Sequence, residues 1–368
     1  MWGMDLPGHG TAVGVQLPNT SCSKSTANSS TTSTASSSTT NSSALGGGNS
    51  TSSTTSSSFV PISFPGLTQY VIDAIKQAGL AGCYAFGHSV GGAVALAAAS
   101  QYPGLFKAMY CFEAVASTPA THAFMAEAAG SGAIQTDGQK LGLMARKRRA
   151  VFDSRAAARQ QLTSKPPFSG LHPQAMALYL QHGLVERPTA AATLQLSASA
   201  GRQQGGPEQP ASPRQQQQAH QQQQAQQQDG RQQAVQLVCS PEQEAAYYEA
   251  LQTPPAVDVH SIHCPCMIAV AAPAPASGDP PAANLATHAG VRAWFTARSS
   301  GQNGGGQLHG ELRVLNIELA AAMPTGQLQE VVGVSHLGPL EQPLELADSI
   351  ASFFKVVAHH STQQRSKL

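Results

Sequence analysis

The stretch YAFGHSVGGAVALAAASQYP, residues 84–103, constrains the fold of this chain more than any other feature. Residues 83–86 (CYAF) predict a short buried strand, and residues 91–101 predict an alanine-rich helix. A plain helix start needs only one capping side chain. The small residues around Ser89 indicate instead a turn that most side chains would not tolerate. The chain must therefore fold around a tight strand–turn–helix unit.

The other patterned segments also alternate between strands and helices. Further strands are predicted at 106–112, 266–272 and 328–334, and helices at 67–80, around 310–322 and at 343–357. This alternation predicts an α/β fold, a mainly parallel sheet flanked by helices on both faces. Residues 116–185 and 236–252 are predicted to be helical and to sit over one edge of the sheet.

Two tracts of biased composition interrupt this pattern. Residues 19–58 are almost entirely Ser, Thr, Asn, Gly and Ala, and residues 190–233 are rich in Gln. Neither can bury a hydrophobic core, so both are predicted to be disordered. Patterned sequence resumes on either side of each tract, which indicates insertions into surface loops.

Composition argues against several classes of protein. A net charge of +1 with only 11% charged residues gives no basic face for nucleic acid. No apolar run reaches the roughly 18 residues that a membrane helix needs. The N-terminus has neither the charged leader nor the apolar core of a secretory signal. The six cysteines are scattered and do not form a disulfide framework.

A tight group of His and Cys lies at His260, His263, Cys264 and Cys266. A zinc site would need paired ligands at more regular spacing and partners elsewhere in the chain. Cys266 begins a predicted buried strand, which favours core packing. No metal and no organic cofactor are expected.

The pentapeptide Gly87-His88-Ser89-Val90-Gly91 has the form G-x-S-x-G, directly after a strand and directly before a helix. This is the pattern of a nucleophile elbow, in which a strained turn exposes the serine hydroxyl. The flanking glycines are expected because a Cβ there would collide with the neighbouring strand or helix. The helix N-terminus favours developing negative charge, and the Val90 N–H is the expected oxyanion donor.

A serine hydroxyl needs a base to take its proton. His336 follows the last predicted strand in VVGVSHLGPLEQP and is the expected base. Two carboxylates compete to orient it. Glu113 ends the strand that follows the elbow helix. A carboxylate at the rim of an apolar sheet is unexpected unless it has a function, so Glu113 is preferred. Asp279, in the Pro-rich loop APAPASGDPP, has the commoner topological position and remains the alternative.

The segments GMDLPGHG, GHSVGG and SHLGPLEQP resemble the α/β-hydrolase superfamily, over residues 1–18, 59–189 and 234–357. The resemblance implies an α/β-hydrolase fold with an inserted helical cap that shapes an acyl pocket. Residues 1–115 would form the first part of the core, 116–261 the cap and 262–357 the second part. Residues 358–368 would form a C-terminal tail.

The resemblance also implies strands, and a His-Gly loop with a second oxyanion donor, before the DLPGHG segment. This sequence has Met1 only a few residues before Asp5. Two explanations are open: an incomplete gene model, or a product that lacks half of its oxyanion hole.

These observations predict a serine hydrolase that cleaves a carboxylic ester or thioester through an acyl-enzyme. A C–C bond hydrolase could use the same triad, and a non-catalytic remnant that acts as an interaction protein is the rival from another class. The sequence ends in Ser366, Lys367 and Leu368, a tripeptide of the peroxisomal targeting type. The expected partners are therefore a small acyl substrate and the peroxisomal import receptor.

Overall fold

The computed structural model describes residues 63–133, 137–187, 233–251, 253–272, 282–299 and 309–365. The tract 19–58, nearly all of 190–233, Asp279 and residues 366–368 lie outside the described residues. The predictions of disorder for the two tracts fall there and stay predictions.

The described elements follow the predicted alternation. The helices are α1 Phe64–Gln77, α2 Val90–Gln101, α3 Pro119–Gly130, α4 Asp137–Arg146, α5 Arg155–Thr163, α6 Pro173–His182, α7 Pro241–Ala250, α8 Ala282–Leu285, α9 His288–Ser299, α10 His309–Ala322, α11 Gly338–Glu341 and α12 Pro343–Arg365. The strands are β1 Cys83–His88, β2 Phe106–Phe112, β3 Val151–Phe152, β4 Leu184–Glu186, β5 Val235–Leu237, β6 Cys266–Ala272 and β7 Gly326–Val332. None of the helices within the described ranges has the length and apolar character needed to span a membrane.

The main sheet has the strand order β1-β2-β6-β7, and every neighbouring pair is parallel. His88 pairs with Phe112, and Phe112 pairs with Ala269. The predicted parallel sheet is therefore confirmed. Because the strands are parallel, their carboxyl ends meet at one edge of the sheet, and the chain leaves β1, β2 and β7 at that edge.

Strand β2 lies in the middle of the core and sends alternate side chains to opposite faces. Met109 and Cys111 pack in a cluster that includes side chains of α1, α2 and α10. Tyr110 and Phe112 pack on the other face, in a cluster that includes Phe353 of α12. Helices thus cover both faces of the sheet, as the alternation of elements predicted.

Helix α2 packs against the sheet and is buried along most of its length. Its eight consecutive residues from Gly92 to Ala99 are all buried, and most of them are alanine. A helix that is apolar all round is a buried helix. Small side chains let this helix approach the strands closely, which places its N-terminus directly above the end of β1.

The region predicted to be entirely helical also contains a small sheet. Strands β3, β5 and β4 form an antiparallel sheet in that order, with α5 and α6 packed around it. The expectation of helices alone was wrong here, because strands of two or three residues leave no measurable periodicity in the sequence. The assignment of 116–261 as a separate cap stays a prediction. One loop of this region contacts the core, where the His172 N–H donates to the Leu340 carbonyl at 2.8 Å.

Candidate active site

Ser89 sits in a strained backbone conformation between β1 and α2. Its φ is 56° and its ψ is −123°, a backbone conformation that residues other than glycine rarely adopt. Such strain costs about 1–3 kcal/mol and persists only where surrounding contacts enforce it. The Ser89 N–H donates to the Phe112 carbonyl at 3.0 Å, and the Ser89 carbonyl accepts from the Val115 N–H at 3.1 Å. The turn is therefore fixed by the segment that follows β2.

The glycines around Ser89 have different roles. A Cβ added to Gly87 would lie 2.7 Å from both the Gly91 oxygen and the Gly92 Cα, so Gly87 is required as expected. A Cβ on Gly91 would meet nothing within 4 Å, and the expected steric need for glycine there was wrong. Gly92 has the close approach instead, because its added Cβ would lie 3.0 Å from the Ala114 Cβ.

His336 lies between Ser89 and Glu113. Its Nε2 is 3.0 Å from the Ser89 Oγ, and its Nδ1 is 2.8 Å from the Glu113 Oε2. A carboxylate only accepts hydrogen bonds, so Nδ1 carries the proton in a neutral ring and Nε2 is left to accept from the serine hydroxyl. The His336 side chain is 25% exposed and that of Glu113 is fully buried. The hydroxyl of Ser89, the imidazole of His336 and the carboxylate of Glu113 thus form a chain of two hydrogen bonds.

Glu113 reaches His336 from the end of β2 through an unusual backbone conformation, with φ at 44°. Its N–H donates to the Ala269 carbonyl at 2.8 Å. Its Oε1 accepts from the Ala271 N–H at 2.9 Å, while its Oε2 faces His336. Both oxygens of this buried carboxylate thus have partners, which offsets the cost of taking the charge out of water.

The elbow on a parallel sheet and the chain order Ser89, Glu113, His336 decide the architecture. This chain has an α/β-hydrolase fold. Ser89 follows β1, Glu113 follows β2, and His336 follows β7 of the parallel sheet. The alternative predicted acid, Asp279, lies outside the described residues, as do Ser366, Lys367 and Leu368.

His88, the last residue of β1, holds the loop that carries His336. Its Nε2 lies 2.7 Å from the His336 carbonyl oxygen, so the Nε2–H is the donor, and the two rings lie 4.9 Å apart. Burial, with a smaller contribution from His336, lowers the pKa of His88 from 6.5 to about 4. A neutral His88 adds no positive charge beside the imidazole that faces Ser89.

A second contact fixes the same loop from the other side. Glu341 of α11 accepts from the Ser335 N–H at 2.7 Å through Oε2 and from the Ser335 hydroxyl at 2.5 Å through Oε1. The Ser335 hydroxyl oxygen in turn accepts from the Leu337 N–H at 3.1 Å. The residues on both sides of His336 are therefore held by hydrogen bonds, which limits how far its ring can move.

Two further residues from the sequence analysis, Val90 and Cys266, can be located in the structure. Val90 is the first residue of α2, beside Ser89. Cys266 is fully buried in β6, in keeping with the core packing that was favoured for it. Across the described residues there is no group of three or more His, Cys, Asp or Glu side chains placed to hold a metal ion.

Sequence reasoning missed the contacts that hold these residues in place. Glu341 lies in the quoted segment SHLGPLEQP, but no motif singled it out. His88 was noted only as part of the pentapeptide. Asn316 of α10, which bonds to Ala114, carries no sequence signal at all.

No protein-family model and no curated protein matches this sequence. Similar solved structures include the peroxisomal α/β hydrolase Lpx1 from Saccharomyces cerevisiae, with 15% identity and a TM-score of 0.45 over 80% of this chain and 60% of that one. A thermophilic esterase from Thermogutta terrifontis has 12% identity and a TM-score of 0.39 over 80% of this chain and 73% of that one. A probable hydrolytic enzyme from Pseudomonas aeruginosa has 15% identity and a TM-score of 0.42 over 80% and 70%.

Proposed function

We propose that this protein is a serine hydrolase that cleaves a carboxylic ester or thioester. The observation that carries the proposal is the unbroken line of hydrogen bonds from Ser89 through His336 to Glu113. The two contacts of 3.0 and 2.8 Å are within the range that proton transfer requires. A histidine met by chance beside a serine would not also need a buried, fully partnered carboxylate behind it.

In the proposed reaction Ser89 is the nucleophile and His336 the general base. The Ser89 Oγ forms a bond to the carbonyl carbon while its proton moves to the His336 Nε2. The tetrahedral intermediate then breaks the bond to the alcohol or thiol leaving group, which takes the proton from His336. Water attacks the acyl-enzyme with the same proton relay and releases the acid. Glu113 holds the ring in the correct tautomer and stabilises the imidazolium.

The negative charge that develops on the carbonyl oxygen has one proposed donor in the described residues. Val90 is the first residue of α2, so its backbone N–H belongs to the helix N-terminus, where donors are not used within the helix. The helix dipole favours negative charge at the same point. Each oxyanion donor is worth about a hundred- to a thousandfold in rate.

Turnover of a substrate panel tests the proposal. The full-length protein is assayed with p-nitrophenyl esters of increasing acyl length and with acyl-CoA thioesters. Ser89→Ala is expected to abolish turnover of whichever class the protein accepts. Ser100→Ala is the matched control, because Ser100 lies near the other end of the same helix and bonds to Ser261. A wild-type protein that turns over no member of the panel would favour the non-catalytic alternative.

A peroxisomal location stays a prediction from the sequence. Ser366, Lys367 and Leu368 lie outside the described residues, so the structure does not bear on their role. Removal of these three residues is expected to shift a fluorescent fusion from peroxisomes to the cytosol. A fusion whose distribution is unchanged by the removal would refute the targeting signal.

A further inference from the structure

One buried side chain outside the proposed triad holds the backbone next to Glu113. Asn316 of α10 is fully buried. Its Oδ1 accepts from the Ala114 N–H at 2.9 Å, and its Nδ2 donates to the Ala114 carbonyl at 2.8 Å. The same Nδ2 donates to the Leu312 carbonyl in its own helix at 2.8 Å. The Asn316 amide thus forms hydrogen bonds with both the N–H and the carbonyl of Ala114, and its bond to Leu312 fixes it to α10.

This contact also affects the backbone conformation of the neighbouring Glu113. Ala114 directly follows Glu113, whose φ of 44° is costly for a residue with a side chain. At this point the chain has left β2, so the sheet no longer supplies partners for the Ala114 backbone. Asn316 supplies the acceptor for the Ala114 N–H and a side-chain donor for its carbonyl, which also accepts from the Ala116 N–H at 2.9 Å. The conformation that aims Glu113 at His336 is thereby held in place.

The same peptide also touches the elbow. Val115, the next residue, donates its N–H to the Ser89 carbonyl at 3.1 Å. The space beside the Ala114 Cβ is so tight that a Cβ on Gly92 would come within 3.0 Å of it. A shift of Ala114 would therefore disturb the nucleophile turn as well as the acid.

We propose that Asn316 is a positioning residue that acts through Glu113 and keeps the hydrogen bond from His336 to Glu113 aligned. This inference rests on the proposed function for its kinetic consequences, but not for its structural ones. A misplacement of about 1 Å in an active site can lower the rate about a hundredfold. Asn316→Leu removes both bonds to Ala114 while keeping the branching and the number of side-chain heavy atoms. We expect kcat to fall about ten- to a hundredfold while KM changes less than about twofold.

A double-mutant cycle separates this role from a purely structural one. Glu113→Gln already removes the carboxylate that Asn316 is proposed to align. Adding Asn316→Leu to Glu113→Gln should therefore lower kcat much less than Asn316→Leu lowers it in the wild type, because the two changes act on one unit. Equal effects in both backgrounds would overturn the proposal.

The matched control lies at the opposite edge of the sheet. The Thr325 hydroxyl donates to the Cys264 carbonyl at 2.7 Å, before β6 and β7 begin. Thr325→Val removes a comparable side-chain-to-backbone bond with almost no change in shape. It is expected to lower the melting temperature without changing kcat. If it lowers kcat as much as Asn316→Leu, general loosening explains both results.

A second variant covers the case in which Asn316→Leu does not fold, and a second measurement covers the case in which no hydrolysis is detected. If Asn316→Leu does not fold, Asn316→Asp keeps the acceptor for the Ala114 N–H but faces the Ala114 carbonyl with an oxygen, and it should also lower kcat. The His336 Nδ1–H resonance in the proton NMR spectrum reports its bond to Glu113 without any substrate. This resonance should broaden or move upfield in the Asn316 variants and not in Thr325→Val, and an unchanged resonance would overturn the inference. A wild-type protein with no hydrolytic activity would refute the proposed function alone and leave this measurement to decide.

Discussion

The low pKa of His88 makes a quantitative prediction about stability. The pKa falls from 6.5 to about 4 because the imidazole is buried beside His336. The folded protein therefore binds this proton less tightly than the unfolded chain does. One pKa unit corresponds to about 1.36 kcal/mol, so the full effect over the interval of about 2.5 units is about 3 kcal/mol.

The direction of the effect follows from proton binding. Between pH 6.5 and 4 the unfolded chain binds a proton at His88 that the folded protein does not, so the free energy of unfolding falls as the pH falls. The contribution is fully present above pH 6.5 and is lost as the pH approaches 4. Between pH 7.5 and pH 5 the expected loss from this one group is about 2 kcal/mol.

Urea unfolding of the wild type and of His88→Gln, measured across this pH interval, isolates the contribution. Glutamine does not titrate and keeps an N–H donor for the His336 carbonyl. Groups away from this site titrate alike in both proteins, so the difference between the two curves should change by about 2 kcal/mol between pH 7.5 and 5. His359→Gln, at an exposed site in α12, is the control and should follow the wild type. Parallel curves for wild type and His88→Gln would refute the account of His88 as a buried neutral donor.

Three further predictions concern the elbow and the acid. The free energy of unfolding of Ser89→Gly, measured in urea, should exceed that of Ser89→Ala by about 1 kcal/mol, because glycine accepts the positive φ without strain. Equal free energies of unfolding would contradict the strain. Gly87→Ala should lose about 1–3 kcal/mol of unfolding free energy to its backbone collisions, while Gly91→Ala, which points into open space, should lose none. Glu113→Gln should lower kcat about a thousand- to ten-thousandfold with a small change in melting temperature, as measured by ester turnover; near-normal kcat would point to Asp279 as the acid.

The sheet could be predicted where strands are continuous apolar runs. Strands β2 and β6 have the predicted bounds because both are buried on two faces and are almost entirely apolar, with the exposed Lys107 of β2 as the exception. Strand β7 was predicted at 328–334 and lies at Gly326–Val332, because an edge strand with mixed burial gives a weaker signal. The small sheet near the second biased tract was missed because its strands are too short.

The candidate site divides in a similar way. Ser89 and His336 could be predicted because each has a local pattern: glycines around a serine after a strand, and a histidine after the last strand. The acid was left between two carboxylates, since only the fold decides which one reaches the imidazole. Asn316 and Glu341 could not be predicted, because each bonds to backbone or loop atoms whose position depends on tertiary packing.

The most direct test of the central claim is covalent labelling of the full-length protein with a fluorophosphonate, with the modified residue located by mass spectrometry. An activated serine should give a single major adduct on Ser89, and His336→Ala should slow its formation at least about a hundredfold. The wild type should therefore carry the adduct within minutes, under conditions where the histidine variant does not. An adduct on a different residue, or labelling of Ser89 at the same rate without His336, would contradict the proposal that His336 activates this hydroxyl.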